Sequence, residues 1–386
     1  MKAMVGSTIL TTGFEAGEEL AQNSIKGLKN PKLGLLFSST KYNQKELLRG
    51  IKSITPDLKI IGCTSSESVM TPDGIISNED GFAGMMVLED NELKVGIASA
   101  PRGIDPRSTG RKIAQAAMED AKKDHPPVAF AMFATPKEEE EYLKGIQDVI
   151  GEVPMFGGSA SDNNFSGQWK VLCESEEIED GCALAIFYTT KEIKTVLTSS
   201  YKETEQMGII TALDDHRRII EIDRTPALNK YAEWTGYNAE ELMSQNIMTA
   251  SVPMPLGTTT LHGETVLVRH PQAGNSDYSL TVGANMAENT AIMLMQTDED
   301  GLISGAVENI NELKTNFKPA ALLLIHSDAR KNYIGDRMDE DFVAIKNAVG
   351  DLPFIVAFTS GEYGQVDHSG ACITNLSLSF TGFSEQ

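Results

Sequence analysis

The chain has 386 residues, of which 41% are hydrophobic and 23% are charged, a composition typical of a globular protein with more than one core. Disordered and collagen-like chains are excluded by this composition, and the formal net charge of −22 disfavours nucleic acid and anionic membranes as partners. Four widely spaced cysteines without a CxxC pair, and an N-terminus without the apolar segment of a signal peptide, predict a cytoplasmic protein that has no disulfide framework.

The predicted elements, taken in chain order, form a unit of helix, strand, helix and strand that occurs three times. Apolar periodicity predicts the helices, and short apolar runs predict the strands. The first copy is EAGEELAQNSIKGL (15–28), KLGLLFSST (32–40), NQKELLRGIKSI (43–54) and DLKIIGCTSSES (57–68). The second copy is DPRSTGRKIAQAAMEDAKK (105–123), PVAFAMFATP (127–136), EEEEYLKGIQDVIG (138–151) and EVPMFGGSASDN (152–163). The third copy is DEDGLISGAVENINELK (298–314), AALLLIHSDAR (320–330), DEDFVAIKNAVG (339–350) and DLPFIVAFTSGEY (351–363).

Antiparallel segments follow each copy. Residues 81–100 and 181–200 predict hairpins that turn at polar residues, and 370–380 alternates partly as an antiparallel strand does. A segment of different pattern, about 200–297, separates the second and third copies, and predicts a hairpin turning near Asp214–Arg218, a helix and further strands.

The fold class that follows is α/β with mixed sheets. Helix-strand-helix-strand-hairpin units form mixed sheets that are covered by helices, and the chain divides into two lobes. We expect residues 1–205 to hold two units, and residues 206–386 to hold the inserted segment and the third unit.

Small and hydroxylated residues follow the predicted strands at equivalent places in the three copies. Ligands of α/β sheets bind beyond the carboxyl ends of parallel strands, where small residues allow close approach to the backbone. The loops therefore predict a ligand pocket, although each alone is as typical of a turn. The candidate ligand-binding residues are Ser38, Ser39, Cys63, Thr64, Ser65, Glu67, Gly157, Gly158, Ser159, Asp162, Asn163, His326, Asp328, Arg330, Gly361 and Glu362.

Catalytic and metal-binding alternatives have weaker support. Cys63 could be a nucleophile at a strand end, but a small buried cysteine is the commoner case. The six histidines show no short metal-ligand spacing; they are His125, His216, His262, His270, His326 and His368. Walker A, HExxH, CxxCH and GxSxG motifs are absent from the sequence. No metal site is predicted.

The strand-end residues resemble those of a known family. KIIGCTSSES followed by VPMFGGSASDN is similar to the N-terminal half of FIST-domain proteins. PALNKYAEW, VLVRHP and the third copy up to FTSGEYG are similar to the C-terminal half of the same family. The resemblance covers nearly the whole chain.

This resemblance implies an intracellular sensory module for a small ligand such as an amino acid, which signals to a partner. Within that hypothesis, Arg330 holds a carboxylate, and Glu67, Asp162 or Glu362 takes an ammonium group. Some members of the family bind haem and sense nitric oxide to regulate a histidine kinase, so a haem sensor is the first alternative. An enzyme using the Cys63 thiol or the carboxylates, and a scaffold for protein interactions, are the others. No obligatory cofactor and no membrane insertion are expected.

Overall fold

The computed structural model of the protein describes residues 1–244, 247–259, 266–315, 317–366 and 370–385. It confirms a mixed α and β fold with three related units. No helix of these residues is both long enough and apolar enough to span a membrane.

The first two repeats have the same order of elements. Repeat 1 consists of β1 (Lys2–Thr8), α1 (Gly13–Ser24), β2 (Pro31–Ser38), α2 (Gln44–Ile54), β3 (Lys59–Thr64), β4 (Val69–Thr71), β5 (Gly74–Ile76) and β6 (Ala83–Glu89). Repeat 2 consists of β7 (Lys94–Pro101), α3 (Pro106–Ala121), β8 (Ala129–Ala134), α4 (Glu139–Ile150), β9 (Met155–Ser159), β10 (Val171–Cys173), β11 (Glu176–Ile178) and β12 (Gly181–Tyr188). Repeat 1 starts with a strand that the sequence analysis did not predict. The hairpins predicted at 81–100 and 181–200 are wrong, because the two strands of each, Ala83–Glu89 with Lys94–Pro101 and Gly181–Tyr188 with Ile193–Thr198, belong to different sheets.

Repeat 3 begins with β13 (Ile193–Thr198) and is then interrupted by the insert. The insert consists of β14 (Lys202–Asp214), β15 (Arg218–Ile222), β16 (Thr225–Pro226), α5 (Ala227–Thr235), α6 (Ala239–Ser244), α7 (Ile247–Ala250), β17 (Leu256–Thr259), β18 (Val266–Arg269), β19 (Pro271–Gly274), β20 (Leu280–Val282) and β21 (Ala291–Gln296). Repeat 3 resumes with α8 (Glu299–Thr315), β22 (Pro319–Ser327), α9 (Asp328–Ile334), a 3-10 turn (Gly335–Arg337), α10 (Met338–Val349), β23 (Phe354–Thr359), β24 (Gly361–Val366), β25 (Gly370–Thr374) and β26 (Leu378–Ser384).

The three repeats are interlocked by an exchange of hairpins. The sheet orders are β1-β6-β2-β3-β10-β11, then β7-β12-β8-β9-β24-β25, then β13-β26-β22-β23-β4-β5. Each repeat thus contributes four strands to its own sheet and a hairpin to another repeat's sheet, and the exchange closes in a cycle. Strands from both sides of residue 205 share two sheets, and the division at that residue remains a prediction.

The sheets surround one central core. Phe37 of the first sheet, Phe133 of the second and Ile325 of the third all belong to it, and the rings of Phe37 and Phe133 are 5.6 Å apart. A separate apolar layer lies between each sheet and its own pair of helices, and the insert has a core of its own.

Glycines bring the helices of the first two repeats into direct backbone contact. A Cβ on Gly50 would lie 2.1 Å from the carbonyl oxygen of Phe14 on α1, and a Cβ on Gly145 would lie 2.0 Å from that of Arg107 on α3. No side chain fits at such a distance, so these helices can approach closely only because both residues are glycine. The equivalent residue of α10 is Ala344. It precedes Val356 by the same number of residues as Gly50 precedes Gly62 and Gly145 precedes Gly157.

We predict that Gly145→Ala destabilises the protein by about 2–4 kcal/mol, because the added methyl group must push α3 and α4 apart. The control is Gly236→Ala, where φ is +77° and ψ is 7° but no atom lies within 4 Å of the new Cβ. That variant carries only the cost of a left-handed backbone, about 1 kcal/mol. Urea unfolding measures the free energy of unfolding of both variants. Equal losses in the two variants would show that the close approach of α3 and α4 is not required.

Candidate functional site

Three backbone hydrogen bonds join the ends of the parallel strands in a ring. The N–H of Ser66 donates to Phe358 O (3.0 Å), that of Ser161 to Thr64 O (3.0 Å), and that of Ser360 to Ser159 O (3.1 Å). The three donors occupy equivalent positions, as do the three acceptors. The structure therefore brings together the three loops in which the sequence analysis placed the candidate residues.

In repeat 1 the candidate hydroxyl groups are buried and bonded within the protein. Ser38 Oγ donates to Gln44 Oε1 (2.8 Å), Thr64 Oγ1 to Ser161 O (2.7 Å), and Ser65 Oγ to Ser68 O (2.7 Å). Ser39 is also buried, and its hydroxyl accepts the N–H of Lys41. These contacts hold the loop in its conformation.

The two reactive groups of repeat 1 are not free. Cys63 is fully buried, and burial raises the pKa of its thiol, so the nucleophilic thiolate is disfavoured. Glu67 is half-exposed and forms an ion pair with Lys331 of α9, a residue that the sequence analysis missed.

In repeat 2 the candidate residues also have structural roles. Gly157 has a φ of +136°, and a Cβ there would lie 1.8 Å from Met132 O. The Asp162 carboxylate accepts the N–H groups of Asn164, Ser166 and Gln168 at 2.9–3.2 Å, and so shapes its own loop.

The other candidates of repeat 2 make contacts across the repeats. Gly158 lies opposite Glu362 in the pairing of β9 with β24, and Asn163 Oδ1 accepts the N–H of Glu67 (3.0 Å). Ser159 Oγ lies within hydrogen-bond distance of Glu139 Oε1 (2.8 Å) and Tyr363 Oη (2.7 Å).

Repeat 3 places ionisable groups inside the protein. His326, Arg330 and Glu362 are each 0% exposed, as is Asp341 on the inner face of α10. We call these four residues the third-repeat cluster. His326 Nε2 lies 3.7 Å from Asp341 Oδ2, and the ring of Phe358 packs 5.2 Å from the imidazole.

The first two repeats have uncharged residues where three members of this cluster stand. The strand registers align His326 with Ser38 and Ala134. Along the second helix, Asp341 takes the place of Leu47 and Tyr142. Glu362 takes the strand position of Val69 and Val171, which are both buried. The ring also aligns Glu67 and Asp162 with Gly361, so Glu362 is one residue beyond their counterpart.

Several polar atoms of the third-repeat cluster have no hydrogen-bond partner among the described residues. They are Nε and Nη1 of Arg330, both carboxyl oxygens of Asp341, Oε1 of Glu362 and Nε2 of His326. Other atoms of the cluster are bonded: Arg330 Nη2 donates to Leu302 O (3.0 Å), and the Ser377 N–H donates to Glu362 Oε2 (2.9 Å). His326 Nδ1 lies 2.8 Å from Ser327 O. Unpaired buried polar atoms cost free energy, so this arrangement is not explained by stability.

Burial dominates the electrostatics of these groups. It raises the pKa of Asp341 to about 6 and that of Glu362 well above its usual range, and lowers the pKa of His326 to about 3. The His326–Asp341 contact has the distance of an ion pair, but both pKa values move toward the neutral forms. The contact is therefore a polar contact between two side chains whose neutral forms are favoured.

A second polar group joins the repeats beside the cluster. The Ser161 hydroxyl donates to Asp328 Oδ2, and Ser360 Oγ donates to the same oxygen (3.0 Å). Burial raises the pKa of Asp328 to about 6 although these bonds oppose the shift. Asp328 thus connects the loops of repeats 2 and 3.

A cavity of about 470 Å³ lies next to the third-repeat cluster, between the insert and repeat 3. Met295 of β21 lines it from the insert, and Tyr201, Thr374 and Ser377 line it beside the cluster. Thr374 is opposite Glu362 in the β24–β25 pairing, and its Oγ1 has no partner among the described residues. A larger cavity of about 720 Å³ lies at the opposite ends of the strands, around Lys2 and Pro319, away from all the candidate residues.

Sequence reasoning missed Asp341, Tyr201 and Thr374. Asp341 could have been found, because aligning the three second helices places a carboxylate at an inward position that holds Leu47 and Tyr142 in the other copies. Tyr201 and Thr374 come from segments outside the matching stretches, and the sequence pattern gives no sign of them.

The described histidines have different environments. His125 and His216 are exposed, His270 Nε2 is bonded to Met248 O (2.7 Å), and His326 belongs to the third-repeat cluster. His262 and His368 lie outside the described residues. No cluster of three or more potential metal ligands occurs within the part of the chain that the structure describes.

Comparison with known proteins identifies a family whose models match the chain. The family model of the FIST N domain matches residues 32–225, and that of the FIST C domain matches residues 227–365. No curated protein matches the chain significantly. A cyanuric acid hydrolase from A. caulinodans resembles it weakly, with 9% identity, 99% coverage of both chains and a TM-score of 0.36. PurLQS from Thermotoga maritima has 8% identity, covers 99% of this chain and 72% of its own, and has a TM-score of 0.23. Likenesses this weak support no inference.

We predict that Asp341 makes stability depend on pH. Its folded-state pKa lies above the unfolded value, so its contribution is fully present below about pH 4 and is lost as the pH rises through about 6. Compared with Asp341→Asn, the wild type should therefore gain about 2 kcal/mol of unfolding free energy between pH 7.5 and pH 4. Denaturant unfolding across this range measures the difference, and Asp339→Asn, at an exposed position of α10, is the control. A pH-independent difference would place the Asp341 carboxyl in a polar environment instead.

Proposed function

Because the chain belongs to the FIST family, with a FIST N domain followed by a FIST C domain, we propose that its third repeat binds a small amino-acid-like ligand and signals this to a partner protein. FIST domains are sensory domains of signal transduction. The observation that carries the ligand proposal is the buried, partly unpaired third-repeat cluster, of which three members align with uncharged residues in the other two repeats.

The chemistry of the cluster fits a zwitterion. Arg330 has two donor groups without a partner among the described residues, which suit a carboxylate. Glu362 has one free acceptor oxygen, which suits an ammonium group. Glu67 and Asp162, the other carboxylates considered for this role, are engaged by Lys331 and by the Asp162 loop, so Glu362 is the acceptor that we propose.

The route to the cluster is the 470 Å³ cavity. Its volume is within the range of small-ligand pockets, and its wall includes Ser377, whose N–H contacts Glu362. Because the insert forms one side of this cavity, ligand binding there contacts both the insert and repeat 3. This is a physical route by which occupancy can change a surface that a partner recognises.

The alternatives have less support. A haem-based nitric-oxide sensor that regulates a histidine kinase is an alternative that the family implies, and no contact of the described histidines adds to it. The thiol enzyme is weakened by the burial of Cys63. A histidine kinase or another signalling protein remains the kind of partner that the family implies.

The direct test is a thermal-shift screen of the full chain with amino acids, small metabolites and haem. We expect an amino acid to raise the melting temperature, because a ligand that binds only the folded state stabilises it. Thr374→Val, which removes an unpaired hydroxyl from the cavity wall, should weaken binding by about 3- to 10-fold. Thr381→Val is the matched control, since its hydroxyl is also buried and unpaired but does not line that cavity. A screen without any stabilising amino acid would refute the proposal, and a Soret band with haem would favour the alternative.

A second prediction separates Glu362 from Glu67. In the wild type an amino acid should bind about 10- to 100-fold more tightly than the same acid without its amino group, because the ammonium is bonded to a carboxylate. Glu362→Gln should remove most of this preference, and Glu67→Gln should keep it. Because burial raises the pKa of Glu362, binding should also release a proton, so the calorimetric enthalpy will depend on the buffer in the wild type and not in Glu362→Gln. The opposite pattern in the two variants would move the ammonium site to Glu67.

A further inference from the structure

The helix pair of repeat 3 is packed differently from the other two pairs. Gly50 and Gly145 allow backbone contact between helices in repeats 1 and 2, but Ala344 stands at this position in α10. Gly305 of α8 does not replace that contact, because it faces Ser200. A methyl group at Ala344 keeps α8 and α10 further apart than a glycine would.

A groove of about 460 Å³ lies along these two helices, and we call it the α8–α10 groove. Ile303, Val307 and Ala344 form its apolar floor, and Ser304 also lines it. Val343 of α10, next to Ala344, is 53% exposed. An apolar groove between two exposed helices is the usual receptor for an amphipathic helix of another protein.

The rim of the groove is acidic. Arg337 is bonded to three carboxylates, those of Glu299, Asp300 and Glu340, which leaves this end of the groove with excess negative charge. Glu308 lines the groove from α8. The charge therefore suits an occupant with lysine or arginine beside its apolar face.

The same two helices hold the third-repeat cluster on their inner sides. Leu302 of α8 accepts the hydrogen bond of Arg330, and it precedes Ile303 of the groove. Asp341 of α10 faces His326, and Ala344 lies one turn further along. A shift of either helix at the cluster therefore moves a wall of the groove.

We infer that the α8–α10 groove docks an amphipathic α-helix of a signalling partner, with its apolar side on Ile303, Val307 and Ala344 and its basic residues toward the acidic rim. The signalling role of this docking rests on the proposed sensory function, but the docking itself does not require the small ligand. Failure of one can therefore be told from failure of the other.

The test is a titration of the ligand-free full chain with a synthetic amphipathic helix of leucine and lysine, about 18 residues or five turns long. A peptide with glutamate in place of lysine is the charge control. We expect one leucine–lysine peptide per chain, weakened when salt rises from about 0.05 to 0.5 M, and little binding of the glutamate peptide.

Variants decide whether the groove is the site. Ala344→Met fills the groove from α10 and Ser304→Leu fills it from α8, so one remains informative if the other does not fold. Each should weaken peptide binding by about tenfold or more, since each occupies the space of an anchoring side chain. Glu308→Gln should weaken binding by a smaller factor, and Glu312→Gln, on the same helix but outside the groove, should not change it.

Three results would overturn the inference. The first is no binding of the leucine–lysine peptide, and the second is binding that neither filling variant weakens. The third is a dimer of the chain, seen by light scattering, that the filling variants dissociate, because the occupant would then be a second copy.

Discussion

The ring of three backbone hydrogen bonds between the strand ends is the contact on which the rest of the structure depends. Each repeat gives its hairpin to the sheet of another repeat, so the chain leaves every parallel strand toward a neighbour and the three strand ends must meet. Because Gly62 and Gly157 have no Cβ, β3 can lie close to β2 and β9 can lie close to β8 at this point. The location of the site is therefore a consequence of the closed exchange of hairpins, and the small residues of the loops allow the three ends to approach.

The three repeats share this arrangement but differ in the residues at corresponding positions. At the three positions aligned with the cluster, repeats 1 and 2 have serine, alanine, leucine, tyrosine and valine, so the fold does not require charge at these positions. Repeat 3 fills the corresponding positions with His326, Asp341 and Glu362, and adds the buried Arg330. Burying unpaired ionisable groups costs several kcal/mol, and this difference between the repeats is the basis of the ligand site that we propose in repeat 3.

The third repeat also differs on its outside, and the two differences are connected. α8 and α10 hold the cluster on one side and the groove on the other, and the insert forms one side of the cavity next to the cluster. Packed helices move as stiff bodies, so a change in how Arg330 or Asp341 is bonded is transmitted to the outer surface. In the function that we propose, this one pair of helices contacts both the ligand and the partner.

The sequence by itself determined the mixed α and β class, the three repeats, the inserted segment and the loops in which the candidate residues lie. These depend on local periodicity and on short runs of small residues, which are visible within a dozen positions. Only the tertiary structure decided which candidates have free polar atoms. Asp162 is occupied by its own loop, Glu67 by Lys331 from the other end of the chain, and Cys63 is buried, whereas Arg330 and Glu362 keep unpaired atoms. The sequence cannot show this, because burial and hydrogen-bond partners arise from residues that are distant along the chain and meet only when the exchange of hairpins is complete.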